Sequence, residues 1–262
     1  IESIKKDKNL LNVLFNFNFD KTTFVAHTRW ASSGNVNLNN THPADNKLER
    51  KKHLPIVYTF MNGDINNYQN IIQKLKNEKK ILIHEKINDT RSLSCFLGSD
   101  TSFFDKSKIL NKLNKLNGSF ASFNISTQDM SKILLIKKGK QGMYVGKNPD
   151  RYFFSSDIYG LVEDCDYVSS IYSNSFSFFD LNENNKILFN NFNNRVKNKL
   201  SFKKVNITSQ DVSKRNFEHY MKKEILESKN VLNKTITIYL KNINKSKLNT
   251  NYNFIKKIKN KK

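Results

Sequence analysis

At Asn117-Gly118 the apolar spacing of this chain changes, and that change limits the folds open to it. Upstream, apolar residues fall three or four apart in short blocks: Ile71, Ile72 and Leu75, then Ile109, Leu110, Leu113 and Leu116. Such spacing lines one face of a helix, so helices are predicted over Asn67–Lys76, Thr90–Leu97 and Lys106–Leu116, with Asp89 placed to cap the second. Pro55–Met61 (PIVYTFM) is a β-branched and aromatic run bounded by Pro and by Asn62-Gly63, which predicts a strand. Thr23–Trp30 predicts another, running into a polar loop, and Ile81–Ile83 a short third. Downstream, as far as Phe189, the candidates are strands: Ser119–Ser126, Lys132–Lys138, Met143–Val145, Tyr152–Ser155, Tyr167–Ile171, Ser175–Asp180 and Ile187–Phe189. Strands that first alternate with helices and then follow one another predict an α+β fold with antiparallel sheets in layers. Asn182–Asn198 is Asn-rich and predicts an exposed loop. Phe217–Leu232 returns to helical spacing, and the Lys/Asn-dominated tail from Lys241 predicts a frayed end.

Composition bears on partners. The 262 residues allow one large domain, or one domain and part of another. They carry 45 Lys+Arg against 23 Asp+Glu, a formal charge of +22, which points towards nucleic acid. Yet the only Arg are Arg29, Arg50, Arg91, Arg151, Arg195 and Arg215, and the Lys are spread among abundant Asn and Ile. Nucleic-acid sites favour the planar Arg fork, so no nucleic-acid partner is expected. No run approaches the roughly 18 apolar residues that cross a bilayer, so no membrane partner is expected either. Two Cys, Cys95 and Cys165, cannot form a secreted disulfide framework and fit a reducing, cytoplasmic compartment. With no CxxC, HExxH or P-loop pattern, neither a metal nor a cofactor is expected.

Three segments carry candidate chemistry. Ala26–Gly34 (AHTRWASSG), followed by Thr41-His42-Pro43, delivers Arg29 from a strand end into a polar loop. Two readings stand: a surface Arg beside a core Trp30, or an Arg holding a carboxylate bidentately with Trp30 covering the site. Tyr58–Tyr68 contains Asn62-Gly63, which is either a turn or an oxyanion hole formed by the Asn62 amide and the Gly63 N–H. In Asn88-Asp89-Thr90 the carboxylate either caps a helix or holds a ligand ammonium. An Arg for a carboxylate, an Asp for an ammonium and an Asn-Gly pair for an oxyanion together suit an amino-acid amide, which points to glutamine.

These runs, AHTRWASSG…THP, then FMNGDINNY, then NDT, resemble the glutaminase domain of glutamine–fructose-6-phosphate aminotransferases. The resemblance continues through Leu116–Phe120 (LNGSF) and Tyr152–Asp157 (YFFSSD). It ends with Phe217–Ile225 (FEHYMKKEI), similar to that family's linker helix into its sugar-isomerase half, and so covers about residues 22–235. It implies a four-layer αββα sandwich of the N-terminal-nucleophile hydrolase type. Arg29 would hold the glutamine α-carboxylate, and the loop from Trp30 to Gly34, including Ser32, would close over the substrate. Asp89 would hold the α-amino group, Asn62 and Gly63 would form the oxyanion hole, and His42 would support loop and site. The implied organisation is a class II glutamine amidotransferase domain over 1–212, lacking its N-terminal strand and nucleophile, then a linker helix and the start of a sugar-isomerase domain over 213–262.

The implied activity is release of ammonia from L-glutamine, for transfer to fructose 6-phosphate in the isomerase half of a protein that is a homo-oligomer when complete. The alternatives are a glutamine-binding or assembly module without chemistry, and a basic nucleic-acid-binding protein. The family's nucleophile is an N-terminal Cys, whereas residue 1 here is Ile. Cys95 falls in a predicted helix and Cys165 between Asp164 and Asp166, whose charges disfavour a thiolate. The resemblance therefore implies a nucleophile upstream of Ile1 and sugar-phosphate domains downstream of Lys262, with residues 1–262 inactive alone. Ser32-Ser33 stands where the family has Thr-His, and Arg91 stands where Glu follows Asp-Thr, exchanging charge beside the expected amino-group site.

Overall fold

In the computed structural model, residues 6–9, 12, 23–28, 41–82, 87–149, 151–181, 187–192, 197–205 and 213–242 are described. The chain divides into two compact units, 1–206 and 207–262. The first is built on two antiparallel sheets. Its strands are β1 (Ala44–Asp45), β2 (Val57–Ile65), β3 (Gly118–Ser126), β4 (Asp129–Lys138), β5 (Tyr144–Lys147), β6 (Tyr152–Ser155), β7 (Tyr167–Ser170), β8 (Ser175–Asp180), β9 (Leu188–Asn191), β10 (Lys197–Lys199) and β11 (Lys203–Lys204). A seven-stranded sheet runs β1-β2-β3-β4-β8-β9-β10, and a four-stranded sheet runs β11-β7-β5-β6.

Three helices, α1 (Tyr68–Asn77), α2 (Asp89–Leu97) and α3 (Lys106–Asn114), cover one face of the large sheet. Met61 and Ile65 of β2, Phe120 of β3, Leu134 and Ile136 of β4 and Phe176 of β8 meet Ile71, Leu75, Leu93, Leu97, Ile109 and Leu113 there. On the other face Ala121, Ile133 and Leu135 meet Val145 and Ile171 from the second sheet and its flank. Strand β4 is thus buried on both sides, which is why Ile133–Ile136 reads as an unbroken apolar run instead of an alternating one. Beyond the second sheet, Leu161 of the 3-10 helix Ile158–Leu161 packs with Cys165 and Val168. The order is helices, sheet, sheet, outer turn: the expected α+β sandwich, whose outer layer among the described residues is one 3-10 turn. Phe120 and Phe176 are each 0–1% exposed, and burial of such a side chain contributes about 1.5–3 kcal/mol.

Several local expectations are corrected. Asn62-Gly63 is not a turn, because β2 continues to Ile65 in unbroken register with β3. The capping side chain of α2 is Asn88, which accepts the Arg91 N–H at 2.8 Å; Asp89 is already inside the helix. Of the expected strand Thr23–Trp30, residues 23–28 join no ladder among the described residues, and the remaining two lie outside the described set. Of the expected strand Ile81–Ile83, Ile81 forms an isolated bridge with Arg50, and residue 83 lies outside the described set. Within the stretch expected as loop, β9 and the start of β10 extend the large sheet.

The second unit contains α4 (Tyr220–Asn242), which runs ten residues past the expected end at Leu232. Lys223 is buried, its ammonium donating to the Ser213 carbonyl at 2.8 Å, while Met221, Ile225, Leu232 and Ile238 are exposed. Among the described residues, no helix is long and apolar enough to cross a membrane.

Candidate active site

The candidate site forms on the edge of β2 that β1 leaves uncovered. Strand β1 pairs with β2 only at Tyr58 and Thr59, so from Met61 onward that edge meets side chains instead of a strand. Met61 N–H donates to His42 Nδ1 at 3.2 Å, and Ile65 N–H donates to an Asp89 carboxylate oxygen at 3.1 Å. Alternation along a strand turns the N–H of Gly63 to the same edge, between those two fasteners. The His42 ring sets its own tautomer. Nδ1 accepts from Met61, so the proton sits on Nε2, which lies 3.4 Å from Thr90 Oγ1 at the start of α2. The His27 ring stacks on His42 with centroids 4.0 Å apart and planes 17° from parallel.

Gly63 is required by its surroundings. Its φ is +100°, which L side chains rarely adopt, and an added Cβ would meet the Ser119 carbonyl oxygen at 2.2 Å and Phe120 Cα at 2.9 Å. The missing side chain leaves the backbone N–H approachable at this point. Asn62 beside it is exposed, so its amide faces solvent at the mouth of the site.

Asp89 does two jobs. One oxygen accepts the Ile65 N–H, and the other accepts the Thr90 N–H at 2.9 Å in the first turn of α2. Burial pushes its carboxyl above the usual range; those two N–H donors work against this, and neighbouring Asp64 adds to it. A carboxylate so placed is under-compensated, and a ligand ammonium would relieve it.

Arg91 is turned away from this edge. Its Nη2 lies 2.9 Å from one Glu49 oxygen and its Nε 3.2 Å from the other, a bidentate pair with both side chains at most 9% exposed. The charge exchange expected beside Asp89 is therefore met by Glu49, a pairing that sequence reasoning missed. Glu49 sits in a polar stretch 42 residues away, and no local pattern links the two.

Cys95 is fully buried in the core between helices and sheet, and burial drives its thiol pKa far up. Cys165 lies under the second sheet, where burial and the charges of Asp164 and Asp166 push its pKa to about 11. Burial disfavours the thiolate at both positions. Arg29, Trp30 and Ser32, with the loop to Gly34, lie outside the described residues. The structure thus brings together His42, Asn62, Gly63 and Asp89. Among the described residues, no group of three His, Cys, Asp or Glu is placed to hold a metal ion.

Residues 44–163 match the sequence family described as glutamine amidotransferase domain, a span that contains Asn62, Gly63 and Asp89. The glutamine–fructose-6-phosphate aminotransferase (isomerizing) of Francisella tularensis subsp. tularensis is 29% identical over 248 residues, covering 89% of this chain and 36% of the relative. The enzyme of the same name from Buchnera aphidicola subsp. Baizongia pistaciae is 29% identical over 259 residues, covering 96% of this chain and 40% of the relative. The chain therefore spans about two fifths of these relatives' length or less. Among solved structures, the glutamine phosphoribosylpyrophosphate amidotransferase of B. subtilis shares the fold, with a TM-score of 0.52 at 18% identity over 65% of this chain and 35% of that one. Residues 44–163 of the chain thus match a glutamine amidotransferase domain, most of its length is similar to part of glutamine–fructose-6-phosphate aminotransferases, and its fold is shared with the B. subtilis amidotransferase.

Proposed function

We propose that this chain is the glutamine-handling part of a glutamine–fructose-6-phosphate aminotransferase, in which ammonia released from glutamine passes to fructose 6-phosphate. The observation that carries the reading is the open edge of β2, where Asn62 and Gly63 lie between His42 and Asp89. The Asn62 amide and Gly63 N–H are oxyanion donors for the tetrahedral intermediate of amide hydrolysis, each worth about 10²–10³ in rate. Asp89 takes the substrate α-ammonium. Arg29 takes the α-carboxylate, Trp30 and Ser32 belong to the covering loop, and His42 is a positioning residue that fastens β2 to α2.

The same reading makes 1–212 the amidotransferase domain, with 213–262 holding the linker helix and the start of a sugar-isomerase domain; α4 supports the helical assignment. The whole protein would act in the cytoplasm as a homo-oligomer, and two buried, unpaired thiols agree with a reducing compartment. The nucleophile of the complete enzyme is a Cys other than Cys95 and Cys165, so residues 1–262 alone bind glutamine without hydrolysing it. Titration calorimetry with L-glutamine tests this. Binding that is lost in both Arg29→Ala and Asp89→Asn supports the reading. Absence of glutamine binding, or ammonia release by these 262 residues, would overturn it.

A further inference from the structure

At the far end of α2 from Asp89, a cleft of about 390 Å³ opens between the three helices. Its walls carry Lys74 and Lys80 from α1 and its flank, and Lys108, Lys112 and Lys115 from α3 and its end; the only lining carboxylates are Glu78 and Asp100. The lysines thus exceed the carboxylates by three. Both acids are already engaged: Glu78 pairs with Lys80 at 2.6 Å and Lys74 at 3.8 Å, and Asp100 with Lys112 at 3.1 Å. Lys108 and Lys115 have no ion pair among the described residues.

What separates this cleft from the diffuse charge of the chain is its floor. The Lys112 side chain is only 10% exposed, donates to the Leu97 carbonyl at 3.0 Å and lies 5.9 Å from the Phe96 ring centroid. Burial weakens its hold on the proton, Asp100 works against this, and Lys80 and Lys108 each add to the weakening, so both of these ammonium groups oppose Lys112 across the cleft. Asn70 and Asn111 add side-chain amides at the rim. A half-enclosed, partly desolvated cation cluster with neutral donors around it is complementary to a compact multivalent anion, which ammonium groups bind as point charges. The volume lies within the range of small-molecule sites.

We propose that this cleft binds a phosphate-bearing small anion, its phosphate held by Lys108, Lys112 and Lys115. The site is separate from the β2 edge and does not depend on the glutamine reading.

The test titrates the full 262-residue chain with inorganic phosphate and with phenyl phosphate, against sodium chloride at matched ionic strength. Affinity is read by calorimetry and by backbone amide shifts of Asn111 and Lys112. Saturable binding at millimolar or lower concentration is expected, weakened at least tenfold in Lys108→Gln/Lys115→Gln and unchanged in Lys203→Gln/Lys204→Gln on the second sheet. Tighter binding of phenyl phosphate assigns an organic phosphoester; equal or weaker binding assigns free phosphate. Equal losses in both variants, or no saturable amide shifts in the unmodified protein beyond those with chloride, would overturn the proposal.

Discussion

Glu49→Met, Arg91→Met and the double substitution form a cycle that weighs the buried ion pair directly. Each single change strands a charge whose partner stood 2.9 Å away, with the side chains 9% and 6% exposed. Breaking one side of such a pair costs about 3–5 kcal/mol, whereas replacing both sides with apolar groups of similar size is near neutral. The double variant should therefore unfold within about 1.5 kcal/mol of the parent, although the single costs summed would exceed 6 kcal/mol. The two single variants differ in their pH response. Burial holds the Glu49 carboxyl above the ordinary 4.5 against the pull of Arg91, and in Arg91→Met that pull is lost, so the folded group keeps its proton to higher pH. The unfolded chain then loses that proton first, and stability falls by about 1.4 kcal/mol per pH unit above the ordinary value until the folded group also ionises. Glu49→Met leaves a guanidinium that does not titrate, so this pair gives that variant no pH-dependent contribution over the same range. Urea denaturation of the four proteins between about pH 4.5 and 7.5 measures both effects. Additive single costs, or a flat pH response in Arg91→Met, would refute the argument that the pair is buried and mutually dependent.

Gly63→Ala should lose about 2 kcal/mol or more of stability by denaturation, because φ +100° and the 2.2 Å approach to the Ser119 carbonyl oxygen both oppose a Cβ. On the proposed reading, glutaminase turnover of the longer protein should fall by at least about 10² as the strained backbone displaces the Gly63 N–H, and a normal rate would remove Gly63 from the oxyanion hole. Burial raises the Asp89 pKa, so on the proposed reading glutamine affinity should begin to drop, as pH falls, while still above the ordinary 3.8, and an affinity unchanged over that range would remove Asp89 from the ligand site. Calorimetry at about pH 4–7 checks this. Cys165, with its pKa near 11, and Cys95, held in the core, should both resist a thiol reagent at pH 8 until urea unfolds the domain. Reaction in the native protein would contradict their burial.

Segments whose chemistry is local could be read in advance, and those that depend on distant partners could not. Tyr152–Ser155 and Ser175–Asp180 match their strands residue for residue, because aromatic residues there sit between turn residues. Ile133–Ile136 was legible as a strand, but only the second sheet explains why it lacks alternation. Asn62-Gly63 carries a strong turn signal, overridden here because β3 pairs across it to Ile65. Strands β1, β10 and β11 are two or three residues long, too short to show a period. At the site, Asn62, Gly63 and Asp89 stood out by residue type. The way His42 and Asp89 fasten one strand edge from 19 and 24 residues away belongs to the fold alone.

The double engagement of Asp89 also restricts how this protein can change. One carboxylate supplies the link to β2 and the first turn of α2. Replacing it to suit a ligand without an ammonium group would detach Ile65 and disturb the helix start in the same step. Asn62, exposed and free of such duties to the fold, is open to exchange at far lower structural cost. A change at position 62 would therefore be felt in the chemistry of the site and not in the fold, whereas position 89 is held by the architecture whatever the site binds.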